Sequence, residues 1–177
     1  MSNRREPVVG EWAYRGHGPD RPGAGRLVTV ERDGELLGTL RHVVKHSPTG
    51  VGWGYGGSGA ADLALSLLVD ALGPWAMCPT CWGRARVAQH AEEPDGRCWP
   101  YDPDRHSPLR SDGDSDGGGG WLLTGCWDCD DGLDPQLPYQ QLKAEVVAAL
   151  PAQGWVLARG QLLGWAAEHG VRLLRAG

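Results

Sequence analysis

Phenylalanine is absent from this chain, so aromatic packing falls on nine Trp and four Tyr. Rings of that size usually fill cores, and only an exposed cluster would mark a binding platform. A basic surplus is also lacking. Against 22 Asp and Glu there are only 17 Lys and Arg, a net charge of −5. That balance argues against a general DNA binder, whose affinity rests on neutralising phosphates. No apolar run approaches the length needed to cross a bilayer, so no membrane association is expected. Met1–Pro7 is polar with no apolar stretch behind it, and no secretory leader is expected either. The expected compartment is the cytoplasm, where thiols stay reduced and paired cysteines read as metal ligands.

Apolar residues are slightly scarce at 41%, whereas 28 Gly and 13 Pro are many. The excess lies in a few stretches, so an ordered core must come from the remainder. A chain of 177 residues suffices for one compact domain with an insertion. Two outer blocks, 8–73 and 138–175, read as one α+β domain, with a small, mainly antiparallel sheet and about three helices. The central stretch, 74–137, reads as a loop-rich insertion.

Arg26–Arg32 (R-L-V-T-V-E-R) alternates as a half-buried strand does, and Asp33-Gly34 is a hairpin turn signal. Glu35–His46 is the expected returning strand. Ala60–Leu72 is apolar on nearly every side and reads as a buried helix, with Ser58 as N-cap, Asp62 in its first turn and Gly73-Pro74 as its stop. Tyr139–Leu150 reads as a second helix, Gly154–Ala158 as a strand, and Gln161–His169 as a last helix closed by Gly170. Within the insertion, periodicity is weak. About 102–120 is an acidic, Gly-rich flexible loop, low in complexity at Asp112–Gly120.

The insertion carries the most specific signal. Cys78-Pro-Thr-Cys81 and Cys126-Trp-Asp-Cys129 are separated by 44 residues. Two residues between cysteines let both thiolates face one ion from a tight turn, and two such knuckles complete the tetrahedral set that structural zinc prefers. Four thiolates leave no open position for water, so the zinc would organise the chain and not catalyse. The knuckles resemble those of zinc ribbons and of the cysteine-rich part of DnaJ-type chaperones, whose pattern is C-x-x-C-x-G-x-G. Ala85 stands here for the last glycine. Cys98 is the odd cysteine, read as a free thiol, and His90 and His106 are substitute ligands at most.

Gly52-Trp-Gly-Tyr-Gly-Gly-Ser-Gly59 leads directly into the first helix. Converging backbone N–H groups and a helix start can bind an anion or phosphate. The residues in question are Gly54, Tyr55, Gly56, Gly57, Ser58 and Gly59, with Arg41 and Lys45 as counter-charges and Arg15 and His42 as further candidates. The competing reading is a tight turn whose glycines let the helix pack closely. Trp53 and Tyr55 would stack on a base in the first reading and plug the core in the second. Matches to the dinucleotide fingerprint come almost free in so glycine-dense a stretch, and a zinc knuckle follows the helix where a Rossmann fold needs a strand. There is no Walker lysine, and a nucleophile elbow would need Gly at Ala60.

Trp53–Ala64 (W-G-Y-G-G-S-G-A-A-D-L-A) resembles the W-G-Y-G-G-S-G-P-A-D-L-A signature of a small domain family of unknown function, found in bacteria, their phages and mobile elements. The one departure is Ala60 for Pro. Tyr14-Arg-Gly, two strands, and the later helix, Trp155 strand and final helix fit the same layout. The resemblance implies a fold and a genomic setting, with the zinc segment as an addition, and it implies no activity.

Asp112-x-Asp114-x-Asp116-Gly117 matches the start of a calcium loop, yet Leu123 stands where a bidentate Glu is required. No nucleophile–base pair is readable, so nothing supports an enzyme. The reading that follows is a zinc-containing binding protein that captures a small anion, foremost a nucleotide. In a phage or mobile-element setting it would act as a sponge for a nucleotide signal in host defence. Two alternatives stand beside it. One is an interaction module for a protein or nucleic-acid partner, using Trp82, Trp99, Trp121 and Trp127. The other is a phosphate-handling hydrolase or transferase.

Overall fold

The structure is a computed structural model and describes residues 10–18, 26–90, 98–100 and 121–171. It divides into two compact units. One joins the stretch up to Trp75 with Pro138 onward, and the other is Ala76–Leu137.

The larger unit is α+β. Its sheet has four antiparallel strands in the order β3-β2-β1-β7, where β1 is Trp12–His17, β2 Leu27–Arg32, β3 Glu35–Thr39 and β7 Gly154–Ala158. Asp33 and Gly34 both take positive φ, 52° and 83°, and close the β2–β3 hairpin as the sequence predicts. The returning strand is shorter than expected. It ends at Thr39, the Leu40 amide makes one more bond to the Val28 carbonyl at 2.9 Å, and from Val43 the backbone amides turn to α1, to Ser66 Oγ and Asp62. The central strand β1 is barely signalled by W-A-Y-R-G-H, and it pairs with both β2 and β7.

Helix α1, Ser58–Leu72, is buried along almost its whole length, with Leu63, Leu65, Leu67 and Leu68 at 1% exposure or less. An all-round apolar helix needs partners on several sides. It contacts α2 (Tyr139–Glu145), α3 (Arg159–Glu168) and the 3-10 turn Val147–Ala149. That turn is a departure from expectation, since the predicted second helix breaks after Glu145 into a tighter coil. Two further expectations fail at the start of α1. Its N-cap is Gly57, with Ser58 already helical and no side chain capping it. Asp62 lies beyond the first turn and fully buried, where it bonds to a loop and does not face the helix dipole.

Sheet and helices are tied by buried polar contacts. The Tyr14 hydroxyl, on a residue at 0% exposure, donates to Asp70 Oδ2 at 2.7 Å. Burial, followed by the Asp70 hydrogen bond, raises the Tyr14 pKa far above the usual phenol range. The Trp53 ring, also at 0% exposure, donates from Nε1 to the Pro151 carbonyl at 2.9 Å and meets Trp155 edge-on. Trp53 is therefore a core plug.

The smaller unit has its own three-stranded antiparallel sheet, β5-β4-β6, of Cys98–Pro100, Arg86–His90 and Trp121–Gly125. Little along the chain announces it. These strands are short, and their alternation (R-V-A-Q-H, W-L-L-T-G) is interrupted by long connections. The 102–120 loop, His106 and the Asp112 calcium-loop match lie outside the described residues, as do the side chains of His90, Cys98, Trp99 and Trp121.

Candidate metal centre and the glycine-rich loop

The four knuckle cysteines come together. Their sulfurs all lie within 4.8 Å of one another, and all four residues are buried. Cys78 and Cys126 Sγ are 3.9 Å apart, Cys81 and Cys129 Sγ 3.4 Å. The edge of a tetrahedral thiolate set around zinc is roughly 3.8 Å, from metal–sulfur bonds near 2.3 Å, so the quartet can hold a metal ion.

The backbone around the sulfurs has the form that such a centre requires. Amides of Cys81 and Thr80 face the Cys78 sulfur, that of Ala85 faces Cys81, and that of Gly132 faces Cys129. These donors stabilise thiolate charge. Burial pushes the thiols of Cys78 and Cys129 up, while at Cys81 it is outweighed by hydrogen bonds, first from Cys129, and the thiol is lowered. To aim those amides, Trp82, Gly83, Ala85 and Gly132 adopt positive φ. Ala85, where the chaperone pattern has glycine, takes φ 55° in spite of its Cβ.

The two knuckles are laced together. The Cys78 amide donates to the Gly132 carbonyl at 2.8 Å, the Cys126 amide to the Ala85 carbonyl at 3.0 Å, and Thr80 Oγ1 to Asp128. Gly83 and Gly132 meet backbone to backbone, so no side chain fits at Gly132. The buried cluster of this unit is Cys78, Cys81, Val87, Cys126 and Cys129, with Val87 its one aliphatic member. A cluster made chiefly of thiols is one that a bound metal could hold together.

The glycine-rich loop is exposed at Gly54, Tyr55, Gly56 and Ser58 and buried at Gly52 and Gly59. Most of its glycines have a local reason. The Tyr55 ring folds back across the loop, and a Cβ at Gly52, Gly57 or Gly59 would overlap it. Gly54 takes φ 76°, and its amide donates to the Val147 carbonyl at 3.0 Å. The Gly52 amide closes the loop onto the Gly59 carbonyl at 3.0 Å. Gly56 alone among the loop's glycines has open space where a side chain would stand, with no positive φ. The part of the loop left to face a ligand is therefore its tip, Tyr55–Ser58, in front of an uncapped α1.

Among the expected counter-charges, Arg41 and Lys45 are exposed on the segment after β3, and Arg15 is paired with Glu31 at 2.7 Å. The cation beside the loop is Arg26, which sequence spacing did not single out. Its guanidinium lies 4.6 Å from the Trp53 ring centroid and 6.0 Å from that of Tyr55, and it donates to the Trp53 carbonyl. Behind the loop, Asp62 accepts from the amides of His46 (2.8 Å), Ser47 (2.9 Å) and Lys45 (3.2 Å) and from His42 Nε2 (3.1 Å). Burial alone would raise its pKa. The bonds from Ser47, His42, His46 and Lys45 win and hold it below the usual carboxylate range.

Residues 14–78 match the model of a family of unknown function (DUF6166). The match runs from β1 through α1 and stops at Cys78, so three of the four clustered cysteines, α2, β7 and α3 fall outside it. No curated protein and no solved structure matches the chain. Among the described residues no helix is long and apolar enough to cross a membrane.

Proposed function

We propose that this is a zinc-stabilised binding protein that captures a small anionic ligand, foremost a nucleotide, at the tip of its glycine-rich loop. The observation that carries the reading is the start of α1. A 15-residue helix opens at an exposed loop tip with no side-chain cap. Tyr55 stands beside it at 48% exposure, backed by the Arg26 guanidinium. An anion would complete the uncapped turn, and a base would stack on the tyrosine. Zinc is the ion expected in the four-thiolate site, from the donor set and its closed geometry. Its part is structural, and capture without turnover at the loop suits a sponge for a nucleotide signal.

The test is calorimetric titration of a nucleoside monophosphate into the zinc-loaded protein and into Gly56→Asp. That substitution meets no atoms and places a carboxylate at the tip. Binding by the wild type that Gly56→Asp abolishes in a folded protein sustains the reading, and equal binding by both sinks it.

A second reading has its own observation. Trp82 and Trp127, each directly after a knuckle cysteine, are 70% and 59% exposed. Large apolar rings held out by a rigid centre suit an interface with a protein partner. Partner capture that Trp82→Ser with Trp127→Ser eliminates, while zinc content is unchanged, would favour this reading over ligand capture.

A further inference from the structure

Beside the loop, the larger unit has a mostly apolar concavity of about 220 Å³. Arg26, Thr39 and His42 line it, together with an apolar wall that includes Leu27, Val28 and Leu40. The three polar residues come from separate stretches, one before β2, one at the end of β3 and one in the segment that follows.

His42 is held in place. Asp62, at 0% exposure, is an ionised acceptor, so the imidazole Nε2 must carry the hydrogen of their 3.1 Å contact. Three backbone amides fix the same carboxylate. The ring therefore cannot swing without breaking a buried charged contact, and among the described residues its Nδ1 has no hydrogen-bond partner. Arg26 is likewise anchored, by its bond to the Trp53 carbonyl and by the Trp53 ring. Its Nε and Nη2 have no acceptor among the described residues. Fixed polar groups with unspent hydrogen-bonding capacity, set in a mostly apolar wall, are what a small-molecule site needs.

We propose that this cavity receives the phosphate group of a small ligand. Arg26 and Thr39 are its donors, His42 Nδ1 accepts from the hydroxyl of a singly protonated phosphate, and Asp62 is the positioning residue for His42. Two donors and one acceptor on separate stretches suit a tetrahedral, singly protonated oxyanion better than a carboxylate, which has no hydrogen to give His42, and the apolar wall suits the carbon part of an ester. At about 220 Å³ the concavity has room for a phosphate and a small sugar. The inference shares Arg26 with the loop reading but does not rest on it, because Thr39 and His42 lie outside the loop tip.

The experiment titrates inorganic phosphate, and separately ribose 5-phosphate, into the full zinc-loaded chain, followed by calorimetry and by histidine-ring NMR. Glutamine at His42→Gln can keep a donor toward Asp62 while removing the Nδ1 side. Thr39→Val leaves the Asp62 contacts untouched. The expected result is binding that His42→Gln weakens about tenfold or more and Thr39→Val several-fold. The ring signal that disappears in His42→Gln should move during the titration. Tighter binding of the ester than of inorganic phosphate would identify a phosphoester ligand, and the reverse would identify the free anion; both sustain the cavity. No binding of either probe, or binding unchanged in both cavity variants, overturns it. Phosphate binding lost only in Gly56→Asp would also overturn it, and would leave the loop reading standing.

Discussion

The Tyr55 ring lies where a Cβ on Gly57 would be, so the tyrosine and the glycine occupy one another's space. Replacing Gly57 by valine forces the ring out of its seat, and the same ring also covers Gly52 and Gly59. The expected cost is about 1–3 kcal/mol, typical of overpacking. Denaturant unfolding should show the loss, and Gly57→Val with Tyr55→Ala should recover part of it. No recovery would mean that the glycine serves something other than the ring.

Asp62 governs a pH response. Its folded pKa lies below the usual value, so its ionised form stabilises the fold. That stabilisation is fully present above the unfolded pKa of about 3.9 and is lost as pH falls through the lower folded value. Asp62→Asn should cost about 2–4 kcal/mol at neutral pH, since four donors face the carboxylate and the amide satisfies them poorly. Its stability curve between about pH 2 and 5 should be flatter than that of the wild type. Parallel curves would refute the assignment.

Cys126→Ser should abolish stoichiometric zinc, which native mass spectrometry reads directly. Structural zinc in small modules is worth on the order of 10 kcal/mol or more, and the buried cluster around the proposed site is chiefly the four cysteines. Near-ultraviolet signals from Trp82 and Trp127 should collapse in the variant, and a chelator should reproduce the effect on the wild type.

Gly132→Ala tests the lacing of the knuckles separately from the ligands. The residue needs φ 85° and touches the Gly83 backbone. All four thiols remain, yet zinc affinity should fall by about tenfold or more, for strain and a backbone overlap of about 2 kcal/mol or more. Competition with a chromogenic chelator measures it. Unchanged affinity would show that the knuckles can shift apart.

Gly16→Ala should destabilise by about 2–3 kcal/mol, because Trp155 stacks on Gly16 from the neighbouring strand and leaves no room for a methyl group. Thermal unfolding checks it. A variant as stable as the wild type would mean that the indole can move, in keeping with its buried Nε1 having no hydrogen-bond partner among the described residues.

Much of this was legible along the chain, for reasons of range. The cysteine quartet is written in two C-x-x-C spacings, because each knuckle is a local turn and only their pairing is long-range. The Asp33-Gly34 hairpin and the β7 strand follow from neighbours in sequence, and so does the existence of α1, an apolar run between glycines. Less visible were features set by distant partners. Asp62 reads as a first-turn acid until the 40–47 segment folds over it. Arg26 reads as the first residue of a strand until its guanidinium is placed on Trp53, 27 positions away. The small sheet of the insertion joins strands separated by long connections, a pairing that short alternations cannot announce.

The sequence alone determined which residues could hold a metal and where the chain would turn, since both depend on a few adjacent residues. The tertiary structure decided what the glycines are for, by bringing the Tyr55 ring onto them. It also decided that the 42–47 backbone would leave the sheet for Asp62, because a buried carboxylate must collect its hydrogen bonds from whatever segment packs against it.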